Sequence, residues 1–401
     1  IELIRDEAIP MGGSDPELYR ELGWIYQHKM GNVMDDAHRY YKVKLIEMLE
    51  EVTGEGDRID WAAFAAEPNT HEAFLESLPP GKQEAMDRFL AETNQTMDRL
   101  SAQFELHKRF LESDTTALEK AELLDQVLHY FRAQYLRKNL KLDPAVIVEI
   151  TEKYGYIDFR LPEAHAVYWA WLGLKHAENG RDLPCERMIF QSLSNAAKSG
   201  TVVYISTSGQ PFLGPNAEAA EGARIAYLAA YENHENRSVM SGYENFMKDM
   251  IVSLYSGGKV TAAGDFLNHL SDSFPNDRDY KRNIHDFAME EFAKDIPSGS
   301  LKNLEGILSQ MMFSYYSYLA IGDTDRAAIQ LFIMKTIEAK QNANKKPNSR
   351  HWDRMSVQEI GDPEFRYYIR RSFYEGAAPE FKERLLRELG ITEEQLRRPP
   401  P

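Results

Sequence analysis

Cysteine occurs once in this chain of 401 residues, at Cys185. A single thiol excludes an internal disulfide framework and leaves the compartment open, because cytoplasmic and periplasmic chains can both be cysteine-poor. Long apolar runs are missing too: the stretch around Ile225 to Ala230 falls far short of the roughly 18 residues that suggest a membrane span. Basic residues are outnumbered, 47 Lys and Arg against 63 Asp and Glu, for a net charge of −16. That balance argues against a general nucleic-acid binder with a basic footprint and favours solubility. No HExxH, no GxSxG and no GxGxxG after a strand is present, so the common metal, nucleophile-elbow and dinucleotide signatures are absent.

What the chain does contain is helical spacing that repeats. Trp169, Leu172, Gly173, Gly180, Cys185 and Ile189 fall at the offsets of a helix-turn-helix repeat of the tetratricopeptide type. In such a unit the large residue and the Leu-Gly pair let two helices close-pack, and a small residue sits where they touch. The later slots recur at Leu254, Gly258, Ala263, Leu267, Leu270 and Pro275, and again at Tyr318, Gly322, Asp323, Ala327, Leu331 and Met334. Tyr19, Leu22, Gly23 and Tyr26 repeat the first-helix signature, with Gly31 and Ala37 each one residue late. Gly258 and Gly322 stand close to two periods apart, which places a further repeat around residues 277 to 300.

Local signals fill in the rest. Ser14-Asp15-Pro16-Glu17 starts a helix, with Ser14 and Glu17 at capping-box spacing and Pro16 in the first turn. Helices are expected at about 16–29 and 34–52, then short helices and loops over 59–80. The apolar series Met97, Leu100, Phe104 and Leu111, with Thr93 and His107 in the same seam, predicts one long helix over roughly 82–112. A break at Ser113-Asp114, with Thr116 and Glu119 again at capping-box spacing, and the stripe Leu124, Leu128, Phe131 and Tyr135 make it an antiparallel hairpin. Asp143-Pro144 opens another helix that Gly155 closes. Thr201-Val-Val-Tyr-Ile-Ser206, with Ser208-Gly209 and Phe212-Leu213, predicts a small β-hairpin.

The expected fold is therefore all-α: an α-solenoid of tetratricopeptide-like antiparallel helix pairs, with one long helical hairpin and a small β-hairpin insertion near 201–213. Its segments are 1–80, a degenerate repeat with loops; 81–160, the long hairpin plus a connecting helix; and 161–401, the repeat array.

Candidate chemistry is sparse. Cys185 occupies the small-residue slot of a repeat, so packing explains it better than nucleophilic reactivity. His28 with His38, or His165 with His176, lack the i, i+4 spacing that puts two metal ligands on one helical face. Gly257-Gly258-Lys259-Val260 fails as a phosphate loop, because Ser253 stands where the first glycine belongs and Val260 where a hydroxyl must hold magnesium. Asp35-Asp36 and Glu290-Glu291 read as solvated helix faces. These readings predict no catalytic residue, metal or cofactor. One feature departs from the acidic background: Lys340, Lys345, Lys346, Arg350 and Arg354 cluster in and beside a polar loop. They form a solvated loop or a docking site for an acidic partner or anionic lipid headgroups.

Two blocks carry a family resemblance. Ile9-Pro10-Met11-Gly12-Gly13-Ser14-Asp15-Pro16-Glu17-Leu18-Tyr19-Arg20-Glu21-Leu22-Gly23-Trp24-Ile25-Tyr26-Gln27-His28-Lys29-Met30-Gly31 runs on to Asp35-Asp36-Ala37-His38-Arg39-Tyr40-Tyr41-Lys42, and Arg160-Leu161-Pro162-Glu163-Ala164-His165-Ala166-Val167-Tyr168-Trp169-Ala170 comes next at the right separation. With them the chain resembles an uncharacterised bacterial family of tetratricopeptide-like proteins. The resemblance implies further repeats and an amino-terminal membrane anchor upstream of Ile1, hence cell-envelope or membrane association in preference to a free cytoplasmic protein. It transfers no activity to any residue. The function expected is a non-enzymatic scaffold for protein partners, with a structural subunit of a cell-envelope assembly as the alternative, and an enzyme with scattered site residues behind both.

Overall fold

A computed structural model describes residues 1–13, 15–31, 37–54, 56, 58–204, 211–256, 258–295, 301–343 and 363–398. The described chain is helices joined by short turns, with one two-stranded sheet among them. It divides into two compact units, Ile1–Tyr243 and Glu244–Pro401. Among the described residues no helix is long and apolar enough to cross a membrane.

In the first unit, helices far apart in sequence stack side by side. Pro16–Trp24 continues as the wider helical turn Ile25–Gly31, and both pack on Pro162–His176; that helix packs on Leu183–Ser199, which in turn packs on Ala217–His234. Asp15, Asp182 and Asn216 cap three of these helices, each accepting a backbone N–H of the first turn, which satisfies donors that would otherwise be orphaned. The Asp15 cap replaces the predicted Ser14 cap; Ser14 lies outside the described residues.

Residues 81–160 depart from the expected long hairpin. The single helix over 82–112 is two, Pro80–Thr93 and Met97–His107. Asn94 takes a left-handed conformation that ends the first, and the Thr96 hydroxyl accepts Arg99 N–H to start the second. The apolar three-and-four spacing runs straight through this break, because the burial that sets it survives a change of helix direction. The return is also two helices, Glu112–Lys120 and Leu124–Lys138, so Ser113, Asp114, Thr116 and Glu119 lie inside a helix and form no cap. His107, expected in the seam, is exposed. These short helices enclose their own core, built from Phe74, Met86, Phe89, Leu100, Phe104 and Phe131 among others.

The predicted hairpin is present. Thr201–Tyr204 pairs antiparallel with Pro211–Gly214, with Val202 opposite Leu213, and it packs on the helices through Val202, Ile46 and Leu161, as a marginal two-stranded element must.

In the second unit, residues 244–256, the end of the helix Arg237–Ser256, lead to Val260–Ser273, and Leu301–Ile321 leads to Thr324–Ala343. Gly258 and Gly322, expected as turn glycines, sit at the two turns with φ of +76° and +81°, a conformation that costs glycine least. Ala263, Leu267, Leu270, Ala327 and Met334 are buried. The described part of 277–300 holds one turn, Asp279–Lys281, and one helix, Ile284–Asp295, in place of the helix pair expected there.

Small residues govern how closely the first unit packs. Ala219, Ala220, Ala223, Ala226 and Ala230 are all buried on one helix, and a Cβ at Gly222 would stand 2.1 Å from the Tyr154 carbonyl oxygen. Gly222→Ala is therefore expected to destabilise by about 1–3 kcal/mol. At Gly264 a Cβ would meet nothing within 4 Å, so Gly264→Ala should be neutral or stabilising by up to about 1 kcal/mol through helix propensity. Thermal melts that ranked the two variants the other way would refute the packing argument.

Candidate functional site

Four helices of the first unit converge on a cleft of about 230 Å³. Pro144–Tyr154 brings Lys153 and Tyr154 in its last turn, Pro162–His176 brings Trp171, Leu174 and Lys175, Leu183–Ser199 brings Glu186 and Ile189, and Ala217–His234 brings Ala226, Ala229, Ala230 and Asn233. Gly155 lets the first of these helices end against the last, where even a Cβ would lie 2.9 Å from that of Glu218. The alanines leave room where larger side chains would fill the space.

The floor is apolar and buried, with Ile189, Ala226 and Ala230 at 5% exposure or less. One wall is aromatic: the Tyr154 and Trp171 rings meet edge to face, centroids 5.9 Å apart at 86°. Lys153 stands at the exposed rim with its ammonium laid over both rings, 4.6 Å from the Trp171 centroid and 5.2 Å from that of Tyr154. Loss of hydration against those faces lowers the Lys153 pKa, and the attraction of Glu186 opposes the shift. Lys175 instead pairs with Glu149, which also accepts the Trp171 indole N–H at 3.4 Å; the Lys175 bond holds the Glu149 carboxyl below its usual range.

Glu186 is 7% exposed. Its Oε1 accepts Asn233 Nδ2 at 2.7 Å, and His234 Nε2 lies 2.6 Å from Oε2. The neighbouring helix thus holds one carboxylate oxygen through Asn233, while Oε2, close to His234 Nε2, makes no hydrogen bond. The cleft as a whole offers one apolar floor, one aromatic wall and one cation whose charge no carboxylate of the site neutralises directly.

The residues singled out in the sequence sit elsewhere. Cys185 is fully buried, and a Cβ at Gly173 would stand 2.9 Å from its sulfur and 3.4 Å from Tyr19 Cβ, the small-residue helix contact expected of the repeat slot. Burial raises its thiol pKa, and Asp182 adds to the rise, which makes it a poor nucleophile. Gly173→Leu should therefore cost about 1–3 kcal/mol by overpacking and Cys185→Ala less. The reverse order in denaturant melts would refute the slot assignment. His165 and His176 are apart: the first donates Nε2–H to Phe159 O and stacks on Tyr26, the second stacks on Tyr19. Among the described residues no group of three His, Cys, Asp or Glu is placed to share a metal ion. Of the basic cluster, Lys340 belongs to the helix Thr324–Ala343, and Lys345, Lys346, Arg350 and Arg354 lie outside the described residues.

Sequence reading missed the cleft because its residues come from four helices with no shared motif. The run of alanines ending at Ala230 was a usable signal, since small residues on one helical stripe mark close approach or a cavity. No family model, no curated protein and no solved structure matches the chain.

Proposed function

We propose that this protein is a non-enzymatic interaction scaffold, a tetratricopeptide-like helical array that presents the cleft of its first unit to a protein partner. The observation that carries the reading is the cleft itself. Helices packed in series supply a rigid wall, and Tyr154 and Trp171 supply the large, stiff aromatic surface that anchors partner side chains. Its volume of about 230 Å³ lies below the roughly 300–1,000 Å³ of most small-molecule and cofactor sites. It accommodates one partner side chain and leaves the rest of the contact to the surrounding face. Its lining carries one carboxylate, Glu186, which accepts from Asn233, and no Ser, Thr or Cys that could serve as a nucleophile.

Affinity purification of the full-length protein from its own cells, run beside Ala229→Trp, tests the proposal. The bulky indole fills the cleft from a half-buried position, so a partner that docks there is recovered with the wild type and lost with the variant. Recovery of the same partners by both would place the interaction elsewhere, and absence of any stoichiometric partner would remove the scaffold reading.

A second reading, a structural subunit of a cell-envelope assembly, has one observation in its favour. A groove of about 570 Å³ is lined by Leu3, Tyr26, Met30, Leu45 and Met48 together with Glu2, Arg5 and Lys44; Leu3 is 67% exposed, and exposed apolar surface rimmed by charged groups marks contact sites. A monodisperse monomer of the full-length protein at high concentration, free of stoichiometric partners, would count against it.

A further inference from the structure

We propose that the cleft between Lys153, Trp171 and Ala229 binds a free carboxylate attached to one apolar side chain, as presented by the carboxyl-terminal residue of a partner protein. The inference rests on the scaffold reading and names the chemistry of the partner at that site.

Charge complementarity selects the anion. Besides Lys153, the charged groups of the lining are Lys175, paired with Glu149, and the buried Glu186, whose Oε1 accepts from Asn233 and whose Oε2 lies near His234 without a hydrogen bond. Lys153 alone makes no ion pair among the described residues; its ammonium rests on two aromatic faces. Ring quadrupoles attract a cation without neutralising it, so its charge is available to an incoming anion. The buried Glu186 on the same lining selects against a dianion, which would meet its repulsion with one cation to offset it. A monoanionic carboxylate suits that balance, and a phosphate does not.

Shape selects the rest of the ligand. Apart from Glu186 and Asn233, which bond each other, the floor is Ile189, Ala226 and Ala230, buried and without a polar side-chain atom, so the group that enters the cleft with the carboxylate is hydrocarbon. The volume, about 230 Å³, admits a single branched aliphatic side chain with its terminal group. The rim at Lys153, Lys175 and Gly180 is exposed, so the preceding residues of a longer chain leave along the surface. A chain end satisfies all three requirements at once.

The probes are N-acetyl-leucine and N-acetyl-leucinamide, identical but for the terminal charge, titrated into the full chain by calorimetry and by ligand-observed NMR. The acid is expected to bind and the amide to bind at least about tenfold more weakly, the loss expected when one charge-assisted contact is removed. Lys153→Met should reduce acid binding by about the same factor and leave amide binding unchanged, whereas Lys153→Arg, which keeps a cation on the rings, should retain the preference for the acid. Lys175→Gln should change acid binding by less than about threefold, because that charge is already paired. Equal binding of acid and amide, full acid binding by Lys153→Met, or no acid binding up to about 10 mM, near the weak limit of specific recognition, would each overturn the proposal. Such a result would leave the Ala229→Trp experiment standing, since that one asks only whether a protein docks at the cleft.

Discussion

Replacing Arg160 by methionine is expected to destabilise the protein by about 3–5 kcal/mol, the cost of leaving a buried carboxylate without its partner. Arg160 is 1% exposed and Asp158 3%. The guanidinium donates through Nε and Nη2 to the two Asp158 oxygens at 2.9 and 2.8 Å, and through Nη1 to Glu50 at 3.0 Å and the Gly56 carbonyl at 2.9 Å. Burial alone would lower its pKa; Asp158 and then Glu50 more than reverse that. Asp158 also accepts the Val202 N–H at 3.1 Å, so one ion pair ties the helix His38–Thr53, the turn before Pro162 and the first β-strand. Urea melts measure the loss, and hydrogen exchange at the Val202 amide should accelerate with it. Adding Asp158→Asn, which removes the stranded charge and keeps an acceptor for the backbone, should recover at least about 1 kcal/mol. A single variant that costs less than about 1 kcal/mol would show that the pair is not under-compensated when broken.

The second large effect is a dependence on pH centred on His165. Its ring is 2% exposed, donates Nε2–H to Phe159 O at 2.8 Å and stacks on Tyr26, while Nδ1 faces no acceptor that could take a second proton. Burial lowers its pKa from 6.5 to about 4. Below pH 6.5 the unfolded chain therefore takes up a proton that the native ring refuses. The stabilisation is complete above that pH and drains away as pH falls towards 4, by about 3 kcal/mol in all. Glu163 acts in the opposite sense: burial raises its pKa, so its contribution is present in acid and is lost as pH rises. The comparison therefore belongs in a Glu163→Gln background, with His165→Gln as the variant. Its melts between pH 4 and 7 should lose the His165 share of the parent's slope and keep what His28 and His71, whose pKa values burial also lowers, contribute. Parallel curves would mean that His165 protonates in the native state as readily as in the unfolded one.

His165 and Arg160 also mark how far residue patterns reach. Both fall in the block 160–170 on which the family resemblance rests, but the resemblance attached no role to either. Their importance comes from burial and, besides the nearby Asp158 and Phe159, from partners more than a hundred residues away, Glu50 for Arg160 and Tyr26 for His165. Spacing within a helix carries no information about such partners. The slot of Cys185 opposite Gly173 was different. A small residue at a fixed offset is a local statement about one helix pair, and local statements can be read from order alone. The helix over 82–112 failed for the complementary reason: apolar periodicity reports which side is buried, and Met97, Leu100 and Phe104 are indeed buried, whereas Leu111, past the end of the second helix, is 51% exposed. Periodicity is blind to the left-handed turn at Asn94, which rests on one residue's backbone conformation.

Sequence by itself thus determined the helical class, the helix start at Asp143-Pro144, the turn glycines Gly258 and Gly322, the hairpin near 201–213 and the packing role of Cys185. All of these depend on interactions within about a helical turn or between adjoining elements. Tertiary structure alone decided that Pro16–Trp24 lies on Pro162–His176, that Arg160 joins three distant segments, and that Lys153, Trp171, Glu186 and Ala229 share one cleft. Those arrangements follow from how close helices can approach, and closeness is set by the side chains of both partners together. Neither helix carries that information alone.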